Sequence, residues 1–210
     1  MRQLISRLYA QVRLSDPAFR FLFDEPPPNE VVSVDCETTG LNPKVDEIVA
    51  VAAIVIKNDR ILTSNRFQAI AKTKRRSSPE AIKVHQLLDS DTEQGRPIQE
   101  VVRDLLCFIG PRPIVGYYTS FDLSMINRYT KSFYGIALPN QSIDISALYY
   151  DLRYGHDWGH LTIDLSFAKI ARALGVPLLP QHDAFNDALM TAMMYLQLRD
   201  MGRRGVRIAS

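Results

Sequence analysis

Apolar residues follow two rhythms along this chain. From Val31 to Ile70 they form short β-branched or nearly unbroken runs, and from Ile98 onward they recur mainly at three- and four-residue spacing. Val31 to Val34 predicts a short strand. Glu47 to Lys57 (EIVAVAAIVIK) predicts a longer strand buried on both faces. Asn58-Asp59 supplies a tight turn, and Arg60 to Ile70 returns as a third strand, so adjacent antiparallel hairpins follow. Lys72 to Ser78 is a charged loop, and Pro79 to Leu88 predicts a short helix. Ile98 to Ile109 is an amphipathic helix with Val101, Val102, Leu105, Leu106 and Ile109 on one stripe. Strands are then expected at Pro113 to Tyr117 and Ser142 to Ile145. Helices are expected at Phe121 to Phe133, at Asp164 to Leu174 (closed by Gly175 and Pro177) and at Ala184 to Leu198. Strands first, then alternating helix and strand, predict an α/β fold: a mixed sheet with helices on its faces.

The ends read differently. Leu4, Leu8 and Val12 recur every four residues and predict a short amphipathic helix docked on the domain surface. Residues 1–15 contain arginine and no acid, which weakly resembles a mitochondrial transit peptide. Asp24-Glu25-Pro26-Pro27-Pro28-Asn29 cannot continue a helix. Residues 1–29 are therefore expected to be an appendage with a Pro-rich linker, residues 30–200 the domain proper, and residues 201–210 a basic tail.

Composition narrows the classes. The 210 residues are 46% hydrophobic and 23% charged, as in globular proteins, and the formal net charge is +2. That balance excludes a strongly basic coater of nucleic acid. Cys36 and Cys107 lie in no CxxC pair and no zinc-spaced cluster, so both are expected as buried thiols in a reducing, cytoplasmic setting. No stretch has the roughly 18 apolar residues of a membrane span, and no membrane partner is expected.

Three places carry candidate chemistry. Asp35-Cys36-Glu37 ends the first strand, directly before Thr38-Thr39-Gly40-Leu41. Alternation along a strand sends Asp35 and Glu37 to one face and Cys36 to the core. Two neighbouring carboxylates repel unless a cation lies between them, and hard oxygen donors suit Mg²⁺ or Mn²⁺. Asp122 follows the strand ending near Tyr117, where an acid at a helix start is also favoured by the helix dipole. His182 precedes the last helix, and Asp187 opens an uncharged run from Ala188 to Leu196, where a carboxylate needs a partner. Asp183 reads as a first-turn helix acid.

Together D-x-E-T-T-G-L, a strand followed by F-D, and H-x₄-D-A at a final helix resemble the DEDDh 3′–5′ exonucleases, the superfamily of the proofreading epsilon subunit of bacterial DNA polymerase III. The resemblance runs from about Val31 to Leu198. It implies a ribonuclease H-like exonuclease fold with a mixed five-stranded sheet. It also implies that Asp35, Glu37, Asp122 and Asp187 hold two Mg²⁺ or Mn²⁺ ions and that His182 is the general base. Thr38, Thr39, Gly40 and Leu41 would line the pocket for the terminal nucleotide, and His85 resembles a substrate-contacting histidine of the family. The expected partner is the 3′ end of nucleic acid, single-stranded DNA first and short RNA second. The products would be nucleoside 5′-monophosphates. The N-terminal helix and the Arg203-Arg204 tail read first as solvated ends and second as docking elements for a polymerase or other protein partner.

One departure stands out. The family commonly has H-N-x-x-F-D where this chain reads Tyr117-Tyr118-Thr119-Ser120-Phe121-Asp122. Aromatic rings cannot supply an asparagine's paired donor and acceptor, but they can stack on a base. Tyr118 and Phe121 are accordingly expected among the substrate contacts. A binding module without turnover is the competing class, and it would be favoured by a lost ligand; none is lost. Two divalent ions would add four positive charges to +2, and Lys72, Lys74, Arg75 and Arg76 are where backbone phosphates are expected to be gripped.

Overall fold

The structure, a computed structural model, describes residues 2–155 and 164–205, with side chains from residue 7 onward. The elements in chain order are helix α1 (Arg2–Arg13), a 3₁₀ turn (Pro17–Phe23), strands β1 (Glu30–Thr38), β2 (Ile48–Lys57) and β3 (Arg60–Lys72), and helices α2 (Pro79–His85) and α3 (Asp89–Glu93). They continue as β4 (Arg96–Pro97), α4 (Ile98–Ile109), β5 (Ile114–Gly116), α5 (Ser120–Tyr134), β6 (Ser142–Asp144), α6 (Ile145–Tyr154), α7 (Phe167–Ala173) and α8 (Ala184–Arg204).

The described strands form one mixed sheet in the order β4-β3-β2-β1-β5-β6. β1–β2 and β2–β3 are antiparallel, while β1–β5, β5–β6 and β3–β4 are parallel. The sixth strand, beyond the five expected, is the two-residue β4, which pairs with the end of β3 and has no apolar signature of its own. The Asn58-Asp59 turn has positive φ at both residues, as a two-residue hairpin with right-handed twist requires.

β1 divides its side chains between two cores. Val32, Val34 and Cys36 join the cluster under α4 and α5, whereas Val31 joins the cluster under α6, α7 and α8. β2 is apolar because it is covered on both sides: Val51 and Ala53 face the first cluster, Ala52, Ile54 and Ile56 the second. Ser33, on the α8 side, donates its hydroxyl proton to the Ala188 carbonyl at 2.8 Å and so fixes α8 across the centre of the sheet. At the far end of α8, Arg199 and Arg203 pair with Asp59 in the β2–β3 turn.

Several expectations are corrected. Residues before the prolines are not merely appended: Phe19 and Leu22 of the 3₁₀ turn are buried, and the Phe19 ring lies 4.3 Å from Tyr134. The α1 helix forms, but Leu8 and Val12 are 57% and 86% exposed. Ala10 and Leu14 pack on the core instead, and Arg7 donates to the Phe23 and Asp24 carbonyls; the Leu4 side chain lies outside those described. Cys107 is exposed, because it falls off the Leu105–Leu106–Ile109 stripe of α4, while Cys36 is buried. Arg203 and Arg204 belong to α8 rather than to a separate tail; residues 206–210 lie outside the described residues. Among the described residues no helix is long and apolar enough to cross a membrane.

Candidate active site

Cys36 is the third residue of β1 past its last pairing with β5, since Ser33–Val115 ends that ladder. The sheet opens there. Strand pairing with β2 nevertheless carries β1 on to Thr38, so Asp35 and Glu37 stand on a rigid strand. Their alternation places them with Ser33 on the side of α8, whose first turn carries Asp187. One carboxylate oxygen from each of Asp35, Glu37 and Asp187 lies within 4.8 Å of the others.

Asp122 closes the opening from α5. Its Oδ1 accepts the Cys36 backbone N–H at 3.1 Å, satisfying a buried donor at the point where the sheet opens. Asp35, Glu37, Asp122, His182 and Asp187 line one cleft of about 410 Å³ with Tyr117, Tyr118, Phe121 and Phe167. His182 lies in the exposed loop before α8, with φ +64°, and its main-chain N–H donates to Asp187 Oδ2 at 2.8 Å. Asp183 caps α8 through the Asn186 N–H at 2.9 Å, matching its reading as a helix-start acid.

The electrostatics of this cluster are uncompensated. None of its four carboxylates forms an ion pair with Lys or Arg among the described residues. Burial, then the charges of Asp122, Asp187 and Glu37, drives Asp35 well above the usual carboxylate range. Burial first, then Asp187 and Asp183, raises Glu37 to about 7. Burial likewise raises Asp122 to about 7 and lifts Asp187. Asp187 Oδ1 is buried without a hydrogen-bond partner among the described residues. Crowded, dehydrated carboxylates with an orphaned oxygen are a donor set that fits a hard divalent cation.

A second cavity of about 590 Å³ adjoins the first, sharing Cys36, Glu37, Leu41, Val84 and Phe121. Thr38, Thr39, Gly40, Leu41, His85, Arg75 and Arg76 line it, as do Asp46, Glu80 and Ser78. The threonine hydroxyls shape the turn itself: Thr38 Oγ1 donates to the Gly40 carbonyl (2.7 Å) and Thr39 Oγ1 to Asp46 Oδ1 (3.1 Å). A Cβ on Gly40 would lie 2.6 Å from Asp46 Oδ2, so only glycine leaves that carboxylate in place. Lys74 and Arg75 main-chain N–H groups both donate to Glu47 Oε2, at 2.7 and 3.0 Å, which holds the basic loop to the start of β2. Of the four basic residues in that loop, Arg75 and Arg76 reach the cavity; Lys72 and Lys74 are not among its walls.

His85 is buried. Nδ1 accepts the Leu87 N–H at 3.0 Å, which leaves the proton on Nε2, and Nε2 has no partner among the described residues. The site residues that the sequence motifs missed are Asp46, Glu47 and Phe167. Asp46 and Glu47 announce themselves only as two acids where the apolar strand pattern begins.

A profile of the exonuclease family, RNase T type, matches residues 32–195. The chain belongs to this exonuclease family. Within it, a PolC-type DNA polymerase III of Thermotoga maritima is 27% identical over 191 residues, covering 90% of this chain and 13% of that protein. The DNA polymerase III subunit epsilon of Aquifex aeolicus is 27% identical over 168 residues, covering 80% of this chain and 79% of the subunit. This exonuclease-family chain thus spans only a small part of its PolC-type relatives. Among solved structures, zinc-bound E. coli ExoI in complex with single-stranded DNA superposes with a TM-score of 0.71 at 18% identity, over 85% of this chain and 42% of that one. Cell-death related nuclease 4 gives 0.69 at 17%, over 83% and 64%. At these identities the structural likeness establishes the shared fold, and it is the α/β fold that the DEDDh motifs implied.

Proposed function

We propose that the chain is a divalent-metal-dependent 3′–5′ exonuclease that shortens single-stranded DNA and releases nucleoside 5′-monophosphates. The observation that carries this reading is the convergence of Asp35, Glu37 and Asp187 oxygens within 4.8 Å, unpaired with any Lys or Arg among the described residues, in a cleft next to a nucleotide-sized cavity. Its support is the family to which the chain belongs and the DNA named with its structural neighbour.

Asp35, Glu37 and Asp187 would hold the metal, with Asp122 beside them on the same cleft. Divalent ions bound there supply an activated water and charge neutralisation at the phosphate. The protein's own groups do the rest. His182, exposed at the cleft rim, accepts the proton of the attacking water, a task suited to an imidazole near neutral pH. The Thr38–Leu41 turn and His85 receive the terminal nucleotide, His85 Nε2–H being an unpartnered donor. Arg75 and Arg76 meet phosphate from the far wall.

The test is digestion of 5′-labelled single-stranded DNA with Mn²⁺. A ladder shortening from the 3′ end is expected, and Asp35→Asn should abolish it; no ladder with any divalent ion would refute the reading. His182→Ala should lower kcat by roughly 10²- to 10⁴-fold while leaving strand affinity in place. Loss of affinity instead would remove the general-base role.

A further inference from the structure

Tyr118 is placed where a tyrosine is unfavourable. Its φ is +48°, in the left-handed region that Asn and Gly enter readily and bulky residues avoid. Nevertheless the turn is pinned on both sides of it. Tyr117 donates its hydroxyl to the Leu165 carbonyl at 2.9 Å, and the Thr119 N–H donates to Asp144 Oδ2 at 2.8 Å. Thr119 Oγ1 adds a bond to the Ile143 carbonyl at 3.2 Å. The Tyr118 ring rests on Tyr117 at 4.5 Å between centroids, and Tyr117 in turn is braced edge-on by Phe167 at 5.1 Å. Backed in this way, Tyr118 is 49% exposed and lines the cleft that holds Asp35, Asp122, His182 and Asp187.

We infer that Tyr118 is a fixed stacking platform for one unpaired base of the strand held at the carboxylate cleft, and that it is a determinant of single-strand selection. The inference rests on the exonuclease reading and names what that site recognises. Every base has a π-face, so a braced ring binds without reading sequence. A base stacked on the ring has left its neighbours in a duplex, and a paired 3′ end must first give up that stacking. Among the described residues, the other exposed apolar side chains of the cleft, Leu41 and Val84, are aliphatic and offer no such face.

The experiment removes ring and base separately and together. Strands with a single abasic site at the first, second or third position from the 3′ end are compared with intact strands, using the parent protein, Tyr118→Phe and Tyr118→Asn. Asparagine suits the left-handed backbone, so that variant loses the ring without loss of the turn. Affinity is read by anisotropy in the Asp35→Asn background, which keeps the strand intact, and KM and kcat are read with Asp35 present. At one position, base removal should weaken binding roughly 5- to 150-fold in the parent and in Tyr118→Phe, which both keep a ring; that is the range of base–aromatic stacking. The same removal should cost less than about twofold in Tyr118→Asn, whose KM rises while kcat stays within a few-fold. Equal abasic penalties in all three proteins would overturn the platform and leave the exonuclease reading intact. Absence of any cleavage by the protein with Asp35 and Tyr118 present would overturn both.

Discussion

At the scale of single residues, the carboxylate cluster works against the fold that carries it. Asp35 is raised well above its ordinary range by burial and by neighbouring acids, so its charge destabilises the metal-free protein. Asp35→Asn removes that charge while keeping the shape. The metal-free variant should therefore gain on the order of 1 kcal/mol, about 2–4 °C in melting temperature for a chain of this size, measured in EDTA. Mn²⁺ should raise the melting temperature of the parent protein and that of the variant much less, since a ligand of the folded state stabilises according to its affinity. A lower EDTA melting temperature for Asp35→Asn would show that the aspartate is satisfied without a cation. Tyr118 is the second residue of this kind: a left-handed backbone at a bulky residue costs about 1–2 kcal/mol, retained inside the cleft.

At the scale of elements, the site is assembled by contacts that no motif announces. Glu47 fixes the basic loop by accepting two of its main-chain N–H groups, and Asp46 pairs with Arg75. Glu47→Ala should free the loop and raise KM by about tenfold, equivalent to about 1.4 kcal/mol, with kcat little changed; a fall in kcat alone would place Glu47 in the chemistry. The same distinction explains what is legible in the sequence. The amphipathic stripe of α4 predicts Ile98–Ile109 to the residue, because its periodicity is local. The apolar pattern ends β1 at Val34, since two acids and a cysteine carry no strand signal; pairing with β2 extends it to Thr38. The helix expected from Asp164 starts at Phe167, because Asp164 Oδ1 accepts the Ser166 N–H and makes a turn first. α6 has no counterpart among the expected helices although Asp144 caps it through the Ser146 N–H, because the cap is also the last residue of β6. The acids and the histidine are legible as residue types in order. The burial of His85 is not, for it depends on α2 folding over the cavity.

At the scale of the whole molecule, Glu30 is the buried charge that joins separate parts of the chain. It accepts from Lys57 at 2.7 Å, where β2 ends, and from Arg112 at 2.7 Å, ahead of β5. The Lys57 hydrogen bond, then that of Arg112 working against burial, lowers its pKa from 4.5. A depressed acid stabilises the fold above its unfolded value and loses that contribution as pH falls through the folded one. Glu30→Gln should thus cost about 1–3 kcal/mol at pH 7, with the deficit shrinking below about pH 4.5. A deficit independent of pH in denaturant titrations would assign the loss to packing. α8 reaches from the cleft to the tip of the β2–β3 hairpin. Its first turn presents Asp187 and its last turns hold Asp59, 16 residues and about 24 Å apart along the helix. It links the β2–β3 hairpin tip to the cleft through one continuous helix. High ionic strength screens the exposed Arg203–Asp59 pair more than the pair Asp59 makes with the largely buried Arg199, so the hairpin tip should stay attached to α8 through Arg199 in salt. A truncation that removes Arg199 and Arg203 takes both anchors from the hairpin tip, while Ser33 still holds the start of α8 over the sheet.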